Sequence, residues 1–345
     1  MTIAILLVGF GNVARRFVQL IDESRAALTD LHIDPVIVGI TTRRHGSQFD
    51  AAGIDATGAA RRVASGAAIE GAAAGLPLEM IRRFGMECAP QTRVVMETTT
   101  LDIASGEPAM AHVRAGFAAG AHVITANKGP VAFAYQALAD EAAAAKVSFL
   151  FEGAVMDGIP LFNLVRETLP AVNILGFRGV VNSTTNHIIT AMERGEPFAA
   201  ALARMQADGV AEADPSLDID GWDAAAKTAA LANVWLGANM TPRAIPREGI
   251  GPDTAARAVA ACAAGRRLKL IAHASREANG VRAGVALQEL ESGDPLAALD
   301  GQGNALEIHT WPMGRIVITQ RDGGLEKTAY ALLSDLVTVA KRVAR

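Results

Sequence analysis

Apolar runs alternate with helical patterns through the first part of the chain. Residues 3–8 form a continuous apolar run, typical of a buried parallel strand, and a helical pattern follows it to about Glu23. Further apolar runs predict strands at 36–41, 93–96, 121–125 and 148–151. Helical patterns predict helices at 76–84, from near Pro108 and at 131–145. This alternation predicts an α/β fold with a Rossmann-like, doubly wound domain over residues 1–151.

The second part mixes its elements differently. Strand patterns occur at 172–181, 268–274, 281–287, 306–310 and 315–319, and helical patterns at 186–192, 222–235 and 328–343. We predict a second, α+β domain with a mostly antiparallel sheet over residues 152–321.

A glycine turn follows the first strand. Gly9, Phe10, Gly11, Asn12 and Val13 precede Ala14 in a G-x-G-x-x-A pattern. Glycines at this point let the backbone approach a pyrophosphate, and the start of the following helix offers free N–H groups. The pattern predicts dinucleotide binding; the alternative is a tight turn without a ligand.

Polar side chains end the next strands. The second strand ends at Thr41 and is followed by Thr42, Arg43 and Arg44, without the acid that usually bonds the adenosine ribose of NAD. This favours NADP over NAD, unless the arginines are solvated turn residues. Thr99 and Lys128 also follow strands and should face the same crevice, although a lysine before a Gly-Pro pair can also be simply exposed.

Residues 209–227 gather five carboxylates and a lysine: Glu212, Asp214, Asp218, Asp220, Asp223 and Lys227. We expect an ordered non-helical run to Asp220, followed by a helix on which Asp223 and Lys227 share one face. An ordinary surface ion pair with Asp220 as helix cap is the alternative. The density of acids instead favours a site that holds an ammonium group and handles a proton.

Composition excludes several classes of protein. The net charge of −4 with mixed signs gives no basic stripe for nucleic acid and no polybasic membrane anchor. No apolar run is long enough for a transmembrane helix, and no leader is expected. The two cysteines suggest neither a disulfide framework nor a zinc site, so we expect a cytoplasmic protein.

Taken together, these segments resemble the homoserine dehydrogenase family nearly from end to end. The most specific matches are the turn Asn182-Ser183-Thr184-Thr185-Asn186 and the A-E-x-D-P-x-x-D-x-x-G-x-D-x-x-x-K run that ends at Lys227. The resemblance implies reversible, NAD(P)-dependent interconversion of L-aspartate 4-semialdehyde and L-homoserine, on the route to threonine, methionine and isoleucine. Longer members add a kinase or an ACT domain, and neither is expected here.

The resemblance also implies roles for individual residues. Lys227 and Lys128 match lysines implicated in catalysis, and a lysine with a depressed pKa can accept the hydroxyl proton of the alcohol, with Asp223 orienting it. Substrate-binding positions match Glu212, Asp218, Ser183 and Thr184. Cofactor-contacting positions match Gly9, Gly11, Asn12, Val13, Thr99 and Lys128.

The same resemblance implies a sodium ion near Glu152, Val155, Asp157 and Ile159, held mainly by backbone carbonyls, and a homodimer formed through sheets of the second domain. It further implies that residues 322–345 return to complete the first domain. Two departures bear on the exact substrate: Asp157 replaces a small residue, and Val210 replaces a tyrosine often found beside the substrate. A paralogue acting on another small amino alcohol or semialdehyde is therefore a second hypothesis, and a catalytically silent NADP-binding sensor is a third.

Overall fold

The computed structural model describes residues 1–69, 76–88, 91–207 and 214–344. The chain divides into two compact units. Unit 1 comprises Met1–Asn163 and Gly324–Arg345, and unit 2 comprises Leu164–Gly323. The predicted boundary lay after Phe151, whereas the backbone stays with unit 1 as far as Asn163.

Unit 1 contains a six-stranded sheet in the order β3-β2-β1-β4-β5-β6. Its strands are β1 (Thr2–Val8), β2 (Asp34–Thr41), β3 (Ser47–Phe49), β4 (Thr92–Glu97), β5 (His122–Thr125) and β6 (Phe149–Leu150). All neighbours pair in parallel except β2 and β3. Chain order reverses on the two sides of β1, so the carboxyl ends of β1 and β4 form the switch point at which such sheets bind ligands.

Helices cover this sheet, as its buried parallel strands require. They are α1 (Asn12–Glu23), α2 (Arg25–Asp30), α3 (Ala56–Ala64), α4 (Pro77–Glu87), α5 (Ala109–Ala118), α6 (Lys128–Ala144) and the single turn α7 (Leu161–Asn163). A 3-10 turn spans Glu152–Ala154. The predicted Rossmann-like architecture is confirmed.

The last helix, α13 (Leu325–Val343), belongs to unit 1. Its apolar side chains, among them Leu332, Leu336 and Val339, join the core that β1 and α1 begin. Arg16 of α1 also forms an ion pair of 2.6 Å with Glu326. Residues far apart in sequence therefore build one hydrophobic core.

Unit 2 contains a five-stranded antiparallel sheet in the order β11-β10-β7-β8-β9. Its strands are β7 (Asn173–Val180), β8 (Arg266–Glu277), β9 (Gly280–Glu291), β10 (Asn304–Trp311) and β11 (Gly314–Gln320). Its helices are α8 (Ser183–Glu193), α9 (Phe198–Ala207), α10 (Ser216–Ile219), α11 (Trp222–Leu236) and α12 (Pro252–Ala263). A π-helical turn at Leu164–Thr168 and a 3-10 turn at Pro242–Ala244 complete the unit.

Helix α11 is almost entirely buried, and its own alanine-rich surface packs on β8 and β9. Small side chains allow this close approach of helix to sheet, and Phe177 of β7 meets Trp235 edge to face. The helix begins at Trp222, as predicted, but its N-cap residue is Gly221 in the left-handed conformation, so the alternative with Asp220 as helix cap is wrong. The predicted non-helical run was also wrong in part, because Ser216–Ile219 form a short helix after Pro215.

Candidate active site

The glycine turn lies between β1 and α1 at the switch point of the unit 1 sheet. Gly9 has φ +88°, and a Cβ atom there would stand 2.8 Å from the carbonyl carbon of Thr98, so only glycine fits. Gly11 precedes α1 with open space beside it and no side-chain cap on the helix. No acidic residue occupies the first turn of α1. This uncapped start fits a pyrophosphate, the group whose negative charge the free N–H groups stabilise.

The turn after β2 presents Arg43 and Arg44 to solvent. Thr42 fixes the turn, since its hydroxyl donates to the Gly46 carbonyl at 2.9 Å and accepts from the His45 N–H at 2.8 Å. Thr41 is buried and accepts a hydrogen bond from Ser47. Thr41 and Thr42 therefore do not supply the carboxylate that an NAD site places at the end of this strand. Arg43 and Arg44 are the charged residues that directly follow the strand end.

Thr99 and Lys128 follow β4 and β5, which are neighbours in the sheet. Asn127 joins the two turns, because its side-chain amide donates to the Thr99 carbonyl at 3.0 Å and its side-chain oxygen caps α6 by accepting from the Gly129 N–H at 2.8 Å. Lys128 is the first residue of α6 and is half-buried. The structure thus brings these two predicted residues to one edge of the sheet.

In unit 2, Asn182, Asp218, Asp223 and Lys227 form one polar cluster at the start of α8 and α11. The side-chain amide of Asn182 donates to Asp218 at 2.7 Å and to Asp223 at 2.9 Å. The ammonium of Lys227 lies 2.9 Å from Asp223 and donates to the Val181 carbonyl at 2.7 Å. With two carboxylates and one ammonium, the described part of this cluster has one negative charge in excess.

The carboxyl group of Asp218 lies in a strongly perturbing environment. Burial raises the pKa of its carboxyl group above the ordinary value, and the nearby charge of Asp223 adds to the increase. Hydrogen bonds from Asn182 and Thr184 and the charge of Lys227 act in the opposite direction. The net effect of these groups is to disfavour the ionised form of Asp218.

The predicted residues Ser183 and Thr184 lie in the first turn of α8, which Asn182 caps through the Thr185 N–H at 2.8 Å. Ser183 accepts a hydrogen bond from Asn304 at 2.8 Å, and Thr184 is bound to Asp218. Thr184 therefore borders the carboxylate cluster, and Ser183 is the residue before it on α8. Glu212, predicted to bind the substrate, and Val210 lie outside the described residues.

The residues predicted to hold a cation serve helix ends in unit 1. The carboxylate of Glu152 accepts from the N–H groups of Phe162 and Asn163 at the start of α7. Asp157 accepts from the Gly324 N–H at 2.8 Å, just before α13, and the Ile159 carbonyl accepts from Leu161. Val155 is buried. Both carboxylates are thus bonded to protein donors, and a sodium ion held mainly by backbone carbonyls stays a prediction.

Sequence reasoning missed several supporting residues. Asn182 was part of a recognised turn, yet nothing in its local pattern indicates that it bridges the carboxylates of two other helices, α10 and α11. Asn186 and the fully buried Lys269 were missed as well: the ammonium of Lys269 donates to Asn186 and Leu299, and Asn186 donates to the carbonyls of the loop that leads to Asn304. A lysine within the apolar run of β8 was the available signal.

Similarity to known proteins agrees with the polar clusters described in each unit. A sequence model described as homoserine dehydrogenase matches residues 160–337. A protein of Pseudomonas canavaninivorans described as NAD(+)-dependent homoserine dehydrogenase is 35% identical, over 98% of this chain and 96% of its own. The chain belongs to the homoserine dehydrogenase family.

Other members of the family support this assignment. The homoserine dehydrogenase of Sulfurisphaera tokodaii is 33% identical over 98% of both chains. A crystal structure of a putative homoserine dehydrogenase from Archaeoglobus fulgidus superposes with a TM-score of 0.85 at 28% identity, covering 98% of this chain and 99% of that one. For the homoserine dehydrogenase of Thiobacillus denitrificans the TM-score is 0.83 at 29% identity, over 99% of this chain and 74% of that one.

Among the described residues, no helix combines the length and the apolar character needed to cross a membrane. The described residues also contain no group of three or more histidine, cysteine or acidic side chains arranged to hold a metal ion.

Proposed function

We propose that this enzyme interconverts L-aspartate 4-semialdehyde and L-homoserine, with unit 1 binding the nicotinamide dinucleotide and unit 2 binding the amino-acid substrate. The observation that carries this proposal is the cluster of Asn182, Asp218, Asp223 and Lys227. It combines an excess negative charge, suited to an ammonium group, with a lysine that can exchange a proton.

Asp218 is the residue we assign to the substrate ammonium. Burial has removed much of the water around the Asp218 carboxylate. A substrate ammonium group that binds there therefore does not have to displace that water. Ser183 and Thr184 complete the polar border on α8. Glu212 is proposed as a second acid for the same group.

Lys227 is assigned the proton transfer at the substrate oxygen. The adjacent Asp223 holds the ammonium group at 2.9 Å, and this group can donate a proton to the aldehyde oxygen when the semialdehyde is reduced. In the reverse direction the amine takes the hydroxyl proton of homoserine. Asp223 and the Val181 carbonyl together fix the direction of the Lys227 side chain, and Lys128 is proposed as a supporting electrostatic group.

The bound nicotinamide supplies or accepts the hydride. Gly9, Phe10, Gly11, Asn12, Val13, Thr99 and Lys128 are the residues we propose to hold the dinucleotide. Arg43 is exposed on a fixed turn where a 2′-phosphate would be accessible, and this favours NADP. Because the Pseudomonas relative is described as NAD(+)-dependent, NAD is the competing form.

We further propose a homodimer formed through the β11 edge of unit 2. Trp311 and Met313, at the β10–β11 turn, are 62% and 58% exposed, and Val317 of β11 is 40% exposed. An unpaired strand edge with apolar side chains is a surface that a second copy can cover. Cys88 and Cys262 are not disulfide-bonded, which supports the cytoplasm as the compartment.

The deciding experiment measures semialdehyde reduction and homoserine oxidation with NADPH/NADP and NADH/NAD, together with oxidation of a panel of other small amino alcohols. We expect L-homoserine to give the highest kcat/KM. Equal or better turnover of another panel member would assign the enzyme to a paralogous activity. Cofactor binding without hydride transfer to any substrate would identify a silent sensor.

A further inference from the structure

A buried carboxylate lies behind the two turns that we propose to hold the cofactor. Glu97, the last residue of β4, has no exposed surface. Nothing in the reaction proposed above uses it. An ionised carboxylate in this position needs several donors to offset the cost of burial.

The donors that surround Glu97 come from the strand ends. One carboxylate oxygen accepts from both the backbone N–H, at 3.1 Å, and the hydroxyl of Thr99. The other accepts from the hydroxyl of Thr125 at 3.0 Å. The Nδ1 atom of buried His112, on α5, lies 3.5 Å from the first oxygen and has no hydrogen-bond partner among the described residues.

These bonds extend to Lys128. The hydroxyl of Thr125 accepts from the Asn127 N–H at 2.9 Å, and the Asn127 side chain bonds both the Thr99 carbonyl and the first turn of α6. Glu97 therefore fixes the turn that carries Thr99 and, through Thr125 and Asn127, the turn that carries Lys128.

The segment held by Glu97 also meets the glycine turn. The Thr98 hydroxyl donates to the Gly9 carbonyl at 3.0 Å, and its N–H donates to the Val8 carbonyl at 2.8 Å. The close approach of Gly9 to the Thr98 backbone depends on this register. A shift of residues 97–99 would thus disturb the pyrophosphate turn as well.

We propose that Glu97 is the positioning residue of the cofactor site, and that it fixes the polarity of Thr99. A hydroxyl can donate only one hydrogen bond, and the Thr99 hydroxyl donates its hydrogen bond to Glu97. Thr99 can then offer only lone pairs to a ligand. The cofactor group that meets it is a hydrogen-bond donor, such as a ribose hydroxyl or the carboxamide N–H, and not a phosphate oxygen. This inference rests on the proposed binding of a dinucleotide by unit 1.

The arrangement requires acceptors at position 97 more than it requires charge. In Glu97→Gln, the amide oxygen can still accept both donors of Thr99, while the amide N–H₂ can donate to Thr125, whose proton can turn to the Asn127 carbonyl at 3.3 Å. In Glu97→Ala, the N–H and the hydroxyl of Thr99 both lose their acceptor, and the hydroxyl of Thr125 keeps only the Asn127 carbonyl.

The test is direct titration of NADPH and NADH fluorescence with each variant, which needs no turnover, followed by steady-state kinetics. We expect Glu97→Ala to raise the cofactor Kd and KM by about tenfold or more and to leave the KM for homoserine within about twofold. Glu97→Gln should restore most of the lost affinity. Glu193→Gln, which alters a buried, hydrogen-bonded carboxylate of unit 2, is the matched control and should leave cofactor Kd unchanged.

Thr99 provides a second measurement if Glu97→Ala folds poorly. Thr99→Ser keeps the hydroxyl and should bind the cofactor nearly as the wild type does, whereas the near-isosteric Thr99→Val should weaken binding. Unchanged Kd in both Glu97→Ala and Thr99→Val, or a loss in Glu97→Gln as large as in Glu97→Ala, would overturn the inference. Wild-type protein that binds cofactor but does not oxidise homoserine would instead refute the proposed function alone.

Discussion

The ammonium nitrogen of Lys227 lies 2.9 Å from the Asp223 carboxylate and 2.7 Å from the Val181 carbonyl to which it donates. The two residues are one helical turn apart on α11, a spacing that also occurs in ordinary surface pairs. Here both side chains are largely buried, and Asn182 ties Asp223 to a second acid. Burial and the shared amide distinguish this pair from a solvated one.

Replacing Lys227 by alanine should reduce kcat by about 10²- to 10⁴-fold, because the group that exchanges the substrate proton is lost. The cofactor Kd, measured by NADPH fluorescence, should stay close to that of the wild type, since Lys227 is in unit 2. A large loss of cofactor affinity would contradict the assigned role. Asp223→Asn, which keeps the shape of the partner, should reduce kcat less severely.

Replacing Arg43 by alanine should separate the two nicotinamide dinucleotides. A guanidinium on a 2′-phosphate contributes through charged hydrogen bonds, so the KM for NADPH should rise roughly 10- to 100-fold while the KM for NADH changes little. Arg82→Ala, an exposed arginine of α4, serves as control. Equal effects of Arg43→Ala on both cofactors would refute the 2′-phosphate assignment.

Asp218→Asn should stabilise the free enzyme and weaken substrate binding. Folding raises the pKa of Asp218, so the folded state disfavours the charged carboxylate. The loss of stability due to ionised Asp218 is absent below the pKa of the unfolded chain, and it grows as the pH rises through the pKa of the folded protein. Calorimetry should therefore show a higher Tm for the variant at pH 7 and a smaller difference near pH 4, while the KM for homoserine rises about tenfold or more. A lower Tm at pH 7 would contradict this account.

Lys269 should make stability depend on pH in the alkaline range. Burial lowers its pKa from the ordinary 10.5 to about 8, which means that folding favours the neutral amine. The unfolding free energy contributed by Lys269 is fully present above the pKa of the unfolded chain, and it is lost as the pH falls toward the folded pKa of about 8. From about pH 8 to pH 10.5, the unfolding free energy of the wild type should rise relative to that of Lys269→Met by up to about 3 kcal/mol. Urea denaturation of both proteins across this pH range measures the difference.

The variant controls for other groups that titrate in the same interval, because it retains all of them. A constant difference between the two proteins from pH 8 to pH 10 would show that Lys269 is not held as the structure describes. At every pH, Lys269→Met should be less stable, since Asn186 and the Leu299 carbonyl lose a buried donor.

Much of the fold could be predicted because its signals are local. Residues 3–8 show the apolar run of a buried parallel strand, and Gly9 and Gly11 mark the turn that follows. The spacing of Asp223 and Lys227 likewise follows from one helix. Helix α10 was missed because four residues after a proline give too short a pattern to recognise.

The supporting contacts of the site could not be predicted from local signals. Asn182 meets Asp218 and Asp223 across 36 and 41 residues of sequence, and Glu97 meets Thr125 across 28. Such pairings depend on which strands and helices become neighbours. Asp157 shows the same limit: nothing in its local pattern indicates that its carboxylate accepts a hydrogen bond from Gly324 at the approach to α13.

The position of α13 has a consequence for synthesis of the chain. The ribosome completes all of unit 2 before it makes Leu332, Leu336 and Val339, which the core of unit 1 requires. The unit 1 strands that precede unit 2 in the chain must therefore wait for a helix that is synthesised after unit 2, and during that interval part of their apolar surface has no permanent cover. Unit 2 is the part of the enzyme that can reach its native structure while the chain is still growing.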